Sequence, residues 1–313
     1  MDVRPSRARL YGLLGLMVVL WSANFVFAKL AVRGAPALLV VCLRTVLSGA
    51  FMLPVYLALA KRRPPGDRGP GDAAPEGERA GLRPLTARDL PRLAAVGVVG
   101  IVGNQLLFVL AMSRTSVAHG AIVSATGPVL VLVGAALAGQ ERLTARKLFG
   151  LGAAGAGVAI LQVARAPGGG ASALGDLLML GNAALFARFS VLGKRTAAEF
   201  GSLAVNAVAF WGGGVLALPY AVYGLAALGG PGNIGPAAWA GILYMSVAPS
   251  IIGYLIYSYA LRWLPASRVS SASYLQPVGA SILGVAFLGE QPGLAYAVGA
   301  AVVLLGLWAA QRR

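Results

Sequence analysis

Three cations interrupt long apolar stretches of this chain. Arg188 lies about thirteen residues into the run 175–196, near the middle of a helix rising about 1.5 Å per residue. A cation at bilayer depth costs roughly 2.5–3.5 kcal/mol on insertion scales and is a functional candidate by default. None of the ten acids falls at that depth in any apolar run, so no carboxylate of the chain neutralises it. The expectation is that Arg188 faces a cavity and attracts an anionic group such as the carboxylate of a small solute. Bonding to backbone carbonyls, or snorkelling towards the interface, is the structural alternative. Arg44, about nine residues into its run, reads as an interfacial or packing residue, and Lys29 stands near the end of another.

A second group of residues recurs. Ser124, Pro128, Glu141, Gly150 and Gly157 return as Ser273, Pro277, Glu290, Gly299 and Gly306, each 149 residues on. A proline inside a helix removes one backbone bond and pushes on the carbonyl four residues earlier. Here those carbonyls belong to Ser124 and Ser273. Such breaks survive in membranes where they line a cavity or find new partners. The expectation is a pair of kinks at a site, with a packing kink as the alternative. Glu141 and Glu290 stand just before the next apolar run, where a helix macrodipole favours a carboxylate; a role in closing gates is the functional reading. His119, the chain's one histidine, sits at the end of an apolar run, as a gate or proton group or as an interfacial hydrogen-bonding residue.

Polar and aromatic residues at mid-run depth complete the candidate cavity wall: Trp21 and Asn24, Asn104 and Gln105, Tyr254 and Tyr257, Tyr274 and Gln276. Aromatic walls with a few polar groups suit a small amphipathic solute. Nothing suggests metal or nucleotide chemistry: HExxH, CxxC and P-loop patterns are absent. The glycines at 150, 152 and 155 match a dinucleotide fingerprint only in spacing, because that motif has meaning only between a strand and a helix. No cofactor, no metal and no enzymatic activity are expected.

The elements that must position these residues follow from composition. Hydrophobic residues make up 58% of the chain and charged ones 12%, against about 45–50% and about 25% in soluble domains. Taking roughly 20 apolar residues per span, ten spans are expected, at about 10–32, 35–60, 90–112, 116–138, 144–164, 175–196, 201–223, 237–261, 267–288 and 292–310. The segment 61–89 is rich in Pro, Gly and charge and reads as a flexible cytoplasmic linker. With a cytoplasmic N-terminus, twenty of the 26 Lys and Arg fall on inside segments and three on outside loops, which sets both termini inside. The net charge of +16 then belongs to membrane edges, not to a nucleic-acid interface.

The 149-residue repeat extends back through 90–111 over 239–260, and further upstream the spacing becomes 165, with Lys29 over Lys194. Each half holds five spans. An odd number turns the second half over, giving an inverted repeat with a midplane site between the halves. The halves are 1–60 with 90–164, and 175–313.

Two five-helix halves, each ending in P-V-x(11)-E-x(8)-G, with LWSANFVFAKL at 20–30 and YALRWLPAS at 259–267, resemble the EamA repeats of the drug/metabolite transporter superfamily. The resemblance spans nearly the whole chain outside the linker. It implies an all-α, ten-helix inner-membrane carrier with a central cavity lined by both halves. It further implies probable-exporter activity on a small metabolite such as an amino acid or related carboxylated solute, by alternating access. A lipid-linked carrier or flippase of the same superfamily is the alternative. The partners so implied are a small-molecule substrate and the lipid bilayer; the oligomeric state stays open.

Overall fold

A computed structural model describes residues 5–61, 86–140 and 172–290, with isolated positions between 144 and 156 and between 293 and 305. Most of expected spans 5 and 10, most of the 61–89 linker, Glu141, and the glycines at 150, 157, 299 and 306 lie outside the described residues. Among the described residues there is no strand, and eight helical spans are long and apolar enough to cross a membrane.

The first span is α1 (Arg7–Gly34) and the second α2 (Ala37–Lys61). The third is broken into α3 (Leu90–Gly97), a π-helical turn at Val98–Gly103, and α4 (Asn104–Met112). The fourth is α5 (Val117–Ser124) and α6 (Gly127–Leu137). Then come α7 (Ala173–Phe200) and α8 (Ser202–Ala227). The eighth expected span is α9 (Pro236–Val247), a π-helical turn at Ala248–Gly253, and α10 (Tyr254–Trp263). The ninth is α11 (Ala266–Ser271), a 3-10 turn at Ala272–Leu275, and α12 (Gln276–Leu288).

Local chemistry sets these boundaries. Ser6, Ser116 and Ser172 cap α1, α5 and α7, each hydroxyl accepting the amide three residues on at 3.0–3.2 Å. Pro128 and Pro277 each occupy the second position of a new helix, α6 and α12, where a missing N–H costs nothing. The kinks expected in spans 4 and 9 coincide with tightened turns, at Ala125 and Thr126 and at Ala272–Leu275, through which the backbone stays right-handed helical.

Packing crosses between the two parts of the chain. α1 lies against α9, and α7 against α4; α2 pairs with α8; α5 and α6 meet α12 and α11. Small residues allow the closest approaches, as lipid-embedded interfaces require. A Cβ built on Gly241 would sit 2.5 Å from the Phe27 carbonyl oxygen, and one on Gly49 would sit 2.9 Å from that of Phe210.

Two large apolar cores result, with a small third cluster at Met52, Ala207 and Ile251. One gathers Phe25–Ala31 of α1 positions with Met112, Val117, Ile122, Ala238 and Met245; the other gathers Leu14, Met17, Leu93, Phe189, Val205, Tyr257 and Val269. The N-terminal part of α1 thus belongs to one core and its C-terminal part to the other. Between them, at Trp21–Asn24, polar side chains take over.

Candidate functional site

The gap between the two cores is a cavity walled by α1, α2, α4, α7, spans 4 and 9 and the second π turn. Its atom-free space, including open solvent at the mouth, is about 630 Å³. Trp21, Phe186 and Tyr254 form an aromatic wall. The Trp21 ring meets Phe186 edge-on at 5.5 Å and Tyr254 at 5.6 Å, both favourable edge geometries. Phe25 and Phe108 close another side, 5.1 Å apart.

The polar side of the wall is built by the wide turn at Ala248–Gly253. Pro249 has no N–H, so the Met245 carbonyl four residues earlier lacks its ordinary helical donor. Two side chains take its place. The Ser250 hydroxyl donates to the Met245 oxygen at 2.7 Å, and Arg44 Nη2 donates to the same oxygen at 3.2 Å. Arg44 Nη2 also reaches Ser250 Oγ at 3.0 Å, and Gln105 Nε2 donates to that hydroxyl at 3.2 Å. The Trp21 indole donates to the Pro249 carbonyl at 3.2 Å. The first π turn, Val98–Gly103, precedes the second by 150 residues. At that spacing Ala95 matches Met245, and its carbonyl also accepts from an arginine, Arg188 Nη1, at 3.4 Å.

This corrects the assignment of the two arginines. Arg188 is exposed and does not line the cavity; it bonds a backbone carbonyl on the outer side of α7. Arg44, expected as a packing or interfacial residue, is 1% exposed and lines the cavity. Among the described residues no carboxylate pairs with Arg44, and its Nε has no hydrogen-bond partner. Stranding a cation in this way costs several kcal/mol.

Other expected residues sort clearly. Trp21, Asn24, Asn104, Gln105, Ser124, Pro128, Tyr254, Ser273 and Gln276 come together at the cavity. Tyr257 does not: it is wholly buried, hydrogen-bonded to Ser190 Oγ at 2.7 Å and tilted against Phe186 in the aromatic cluster. Tyr274 packs half-buried against a core, outside the cavity lining, and Pro277 is buried beside it. Asn24 Oδ1, Gln105 Oε1, Ser273 Oγ and Gln276 Nε2 are buried without hydrogen-bond partners. With Arg44 Nε, they make five unpartnered polar atoms on residues that line the cavity. Buried polar atoms are nearly always bonded, so this concentration gives the cavity an unspent capacity for hydrogen bonding.

Glu290 and His119 lie away from the cavity, at one end of the bundle. The Glu290 carboxylate accepts the backbone amides of Val117 and Ala118 at 2.7 and 2.9 Å. It therefore caps α5, in the other part of the chain, at an end where the macrodipole favours an anion. Gly289 (φ +65°) turns the chain to bring it there. His119 Nε2 meets Asp176 Oδ2 at 2.9 Å, and Lys29 Nζ donates to the Met112 and Thr115 carbonyls at 3.1 and 2.7 Å.

Sequence reasoning missed Phe25, Arg44, Asn182, Phe186 and Pro249 on the cavity wall. One of these had a signal. Phe186 stands 165 residues after Trp21, the spacing that relates Lys29 to Lys194. Asn182 faces Asn104, each amide donating to the other's backbone carbonyl at 2.8 and 2.9 Å.

Known proteins carry the same architecture. A solved crystal structure matches over 98% of both chains with a TM-score of 0.64 at 20% identity, a likeness of fold alone. A "Probable terminal-alkyne amino-acid exporter" of Streptantibioticus cattleyicolor is 29% identical, over 74% of this chain and 77% of its own. An uncharacterized transporter of Archaeoglobus fulgidus is 25% identical over 95% of both chains. An uncharacterized inner membrane transporter of Escherichia coli is also 25% identical, over 90% of this chain and 83% of its own. The family model of EamA-like transporters matches twice, at 10–163 and 173–310. Both matched segments supply walls to the cavity, and the chain is a member of the EamA-like transporter family.

Proposed function

We propose that this membrane transporter is a secondary carrier that exports a small metabolite, an amino acid or related carboxylated solute, by alternating access. Its ten helices form two inverted five-helix halves, 1–60 with 90–164 and 175–313, joined by the 61–89 linker, with both termini cytoplasmic. The observation that carries this reading is the cavity between the two cores. It is lined from both parts of the chain, it takes in residues beside both tightened turns, and it concentrates unpartnered polar atoms beside an aromatic wall. The amino-acid class is supported by the printed activity of the Streptantibioticus relative. In this mechanism the tightened turns beside Pro128 and Pro277 and the two π turns let the segments on either side of the cavity move as rigid pieces. The Glu290 cap on α5 is a tie that must open when its end of the bundle opens.

The test is flux. Purified protein in vesicles loaded with the twenty standard L-amino acids and a terminal-alkyne amino acid is expected to release at least one of them faster than protein-free vesicles. Release indistinguishable from protein-free vesicles for every solute in that panel and for a broader metabolite extract would overturn the carrier reading.

A further inference from the structure

We infer that Arg44 is the anion-binding residue of the cavity and holds the carboxylate of the transported solute. The inference rests on the carrier reading and deepens it. Arg44 is 1% exposed, lines the cavity and has an unpartnered Nε. Its other hydrogen bonds go to neutral groups: the Met245 carbonyl and sulfur and the Ser250 hydroxyl. No acid among the described residues compensates the charge. A guanidinium presents donors in a fixed planar fork that matches a carboxylate. The bonds to Met245 and Ser250 hold two of its nitrogens, which orients the fork without neutralising it.

The surroundings suit a zwitterion. Asn24 Oδ1 and Gln105 Oε1 are unpartnered acceptors on residues of the same cavity, suited to an ammonium group, and Trp21, Phe186 and Tyr254 present aromatic surface to a side chain. The charge has no counterpart in the other half. At the 165-residue spacing Arg44 falls on Ala209, so the cavity is electrically one-sided, as recognition of a polar solute in a single orientation requires.

The experiment compares acids with esters. Wild-type protein in vesicles is given each standard L-amino acid and its methyl ester, which keeps the amine and side chain but removes the negative charge. Wild type is expected to move the acid with at least about tenfold better apparent affinity than the ester, and Arg44→Gln to lose that preference. Arg44→Lys, which keeps charge but not the fork, is expected to fall between them. Arg188→Gln, outside the cavity, is expected to keep it. If Arg44→Gln does not fold, the wild-type preference and the Arg44→Lys value decide. Acid and ester moved equally by wild type would overturn the inference while leaving the carrier intact. So would an unchanged preference in Arg44→Lys and in a folded Arg44→Gln. A site that merely holds chloride would also move acid and ester equally, and its flux would fall when chloride is replaced by methanesulfonate; that outcome too overturns it. No flux of either form would instead be a failure of the carrier reading.

Discussion

At the scale of single residues, the cavity wall depends on hydrogen bonds that fix which polar atoms stay free. The Tyr254 hydroxyl donates to Asn104 Oδ1 at 2.9 Å inside the protein. Tyr254→Phe strands that oxygen, at a cost of about 1 kcal/mol. A lower melting temperature with unchanged helix content in detergent is the expected result; an equal melt would mean that the bond contributes nothing. Arg188 teaches the complementary lesson. Its depth in the sequence was legible, but the direction it faces was not. In a soluble helix the polar face marks the outside. In lipid the surroundings of a helix are as apolar as its protein neighbours, so the pattern carries little information about rotation. The sequence pattern therefore pointed Arg188 into the cavity and left Arg44 outside it, the reverse of where they lie, although each was recognised as a cation inside a span.

At the scale of elements, junctions carry the tight geometry. α1 approaches α9 so closely that Gly241→Ala must push a Cβ to 2.5 Å from the Phe27 carbonyl and 3.0 Å from the Ala31 methyl. Backbone cannot yield as a flexible side chain would, and the expected loss is about 1–3 kcal/mol. Gly232→Ala, where a Cβ meets nothing within 4 Å, is the control and should melt like wild type. The Glu290 cap gives a separate test. Glu290→Gln keeps an acceptor oxygen but removes the charge facing the α5 dipole, with an expected loss of about 0.5–2 kcal/mol. Chemical denaturation of the two proteins side by side measures it; equal midpoints would contradict a charge-dependent cap. The tightened turns were legible because proline states its own constraint. The π turns were not, because an extra residue in a turn leaves no compositional mark; Pro249 followed by Ser250 was the one local sign, and only in the second turn.

At the scale of the whole molecule, hydropathy sufficed for the architecture of the eight observed spans. Each is a run of apolar residues long enough to cross a bilayer, and the distance between runs left little freedom in assigning them. Sidedness rests on charge distribution and is open to direct test. Cys42 is the chain's one cysteine and is buried, so an introduced thiol can be read against a quiet background. In Cys42→Ala protein, Gly232→Cys, in the loop between α8 and α9, is expected to react with an impermeant maleimide on intact cells. Arg268→Cys, exposed at the start of α11, is expected to react only after permeabilisation. The reverse pattern would turn the protein over in the membrane.

The wide turn at Ala248–Gly253 has a mechanical consequence. In an ordinary helix the stiffness of a turn is fixed by backbone donors that no substitution short of proline removes. Pro249 deletes the donor to the Met245 carbonyl, and the replacement bonds come from a hydroxyl on the turn and a guanidinium on α2. The compliance of this segment is thereby handed to side chains. It can be tuned from another helix, one substitution at a time, without altering the path of the backbone.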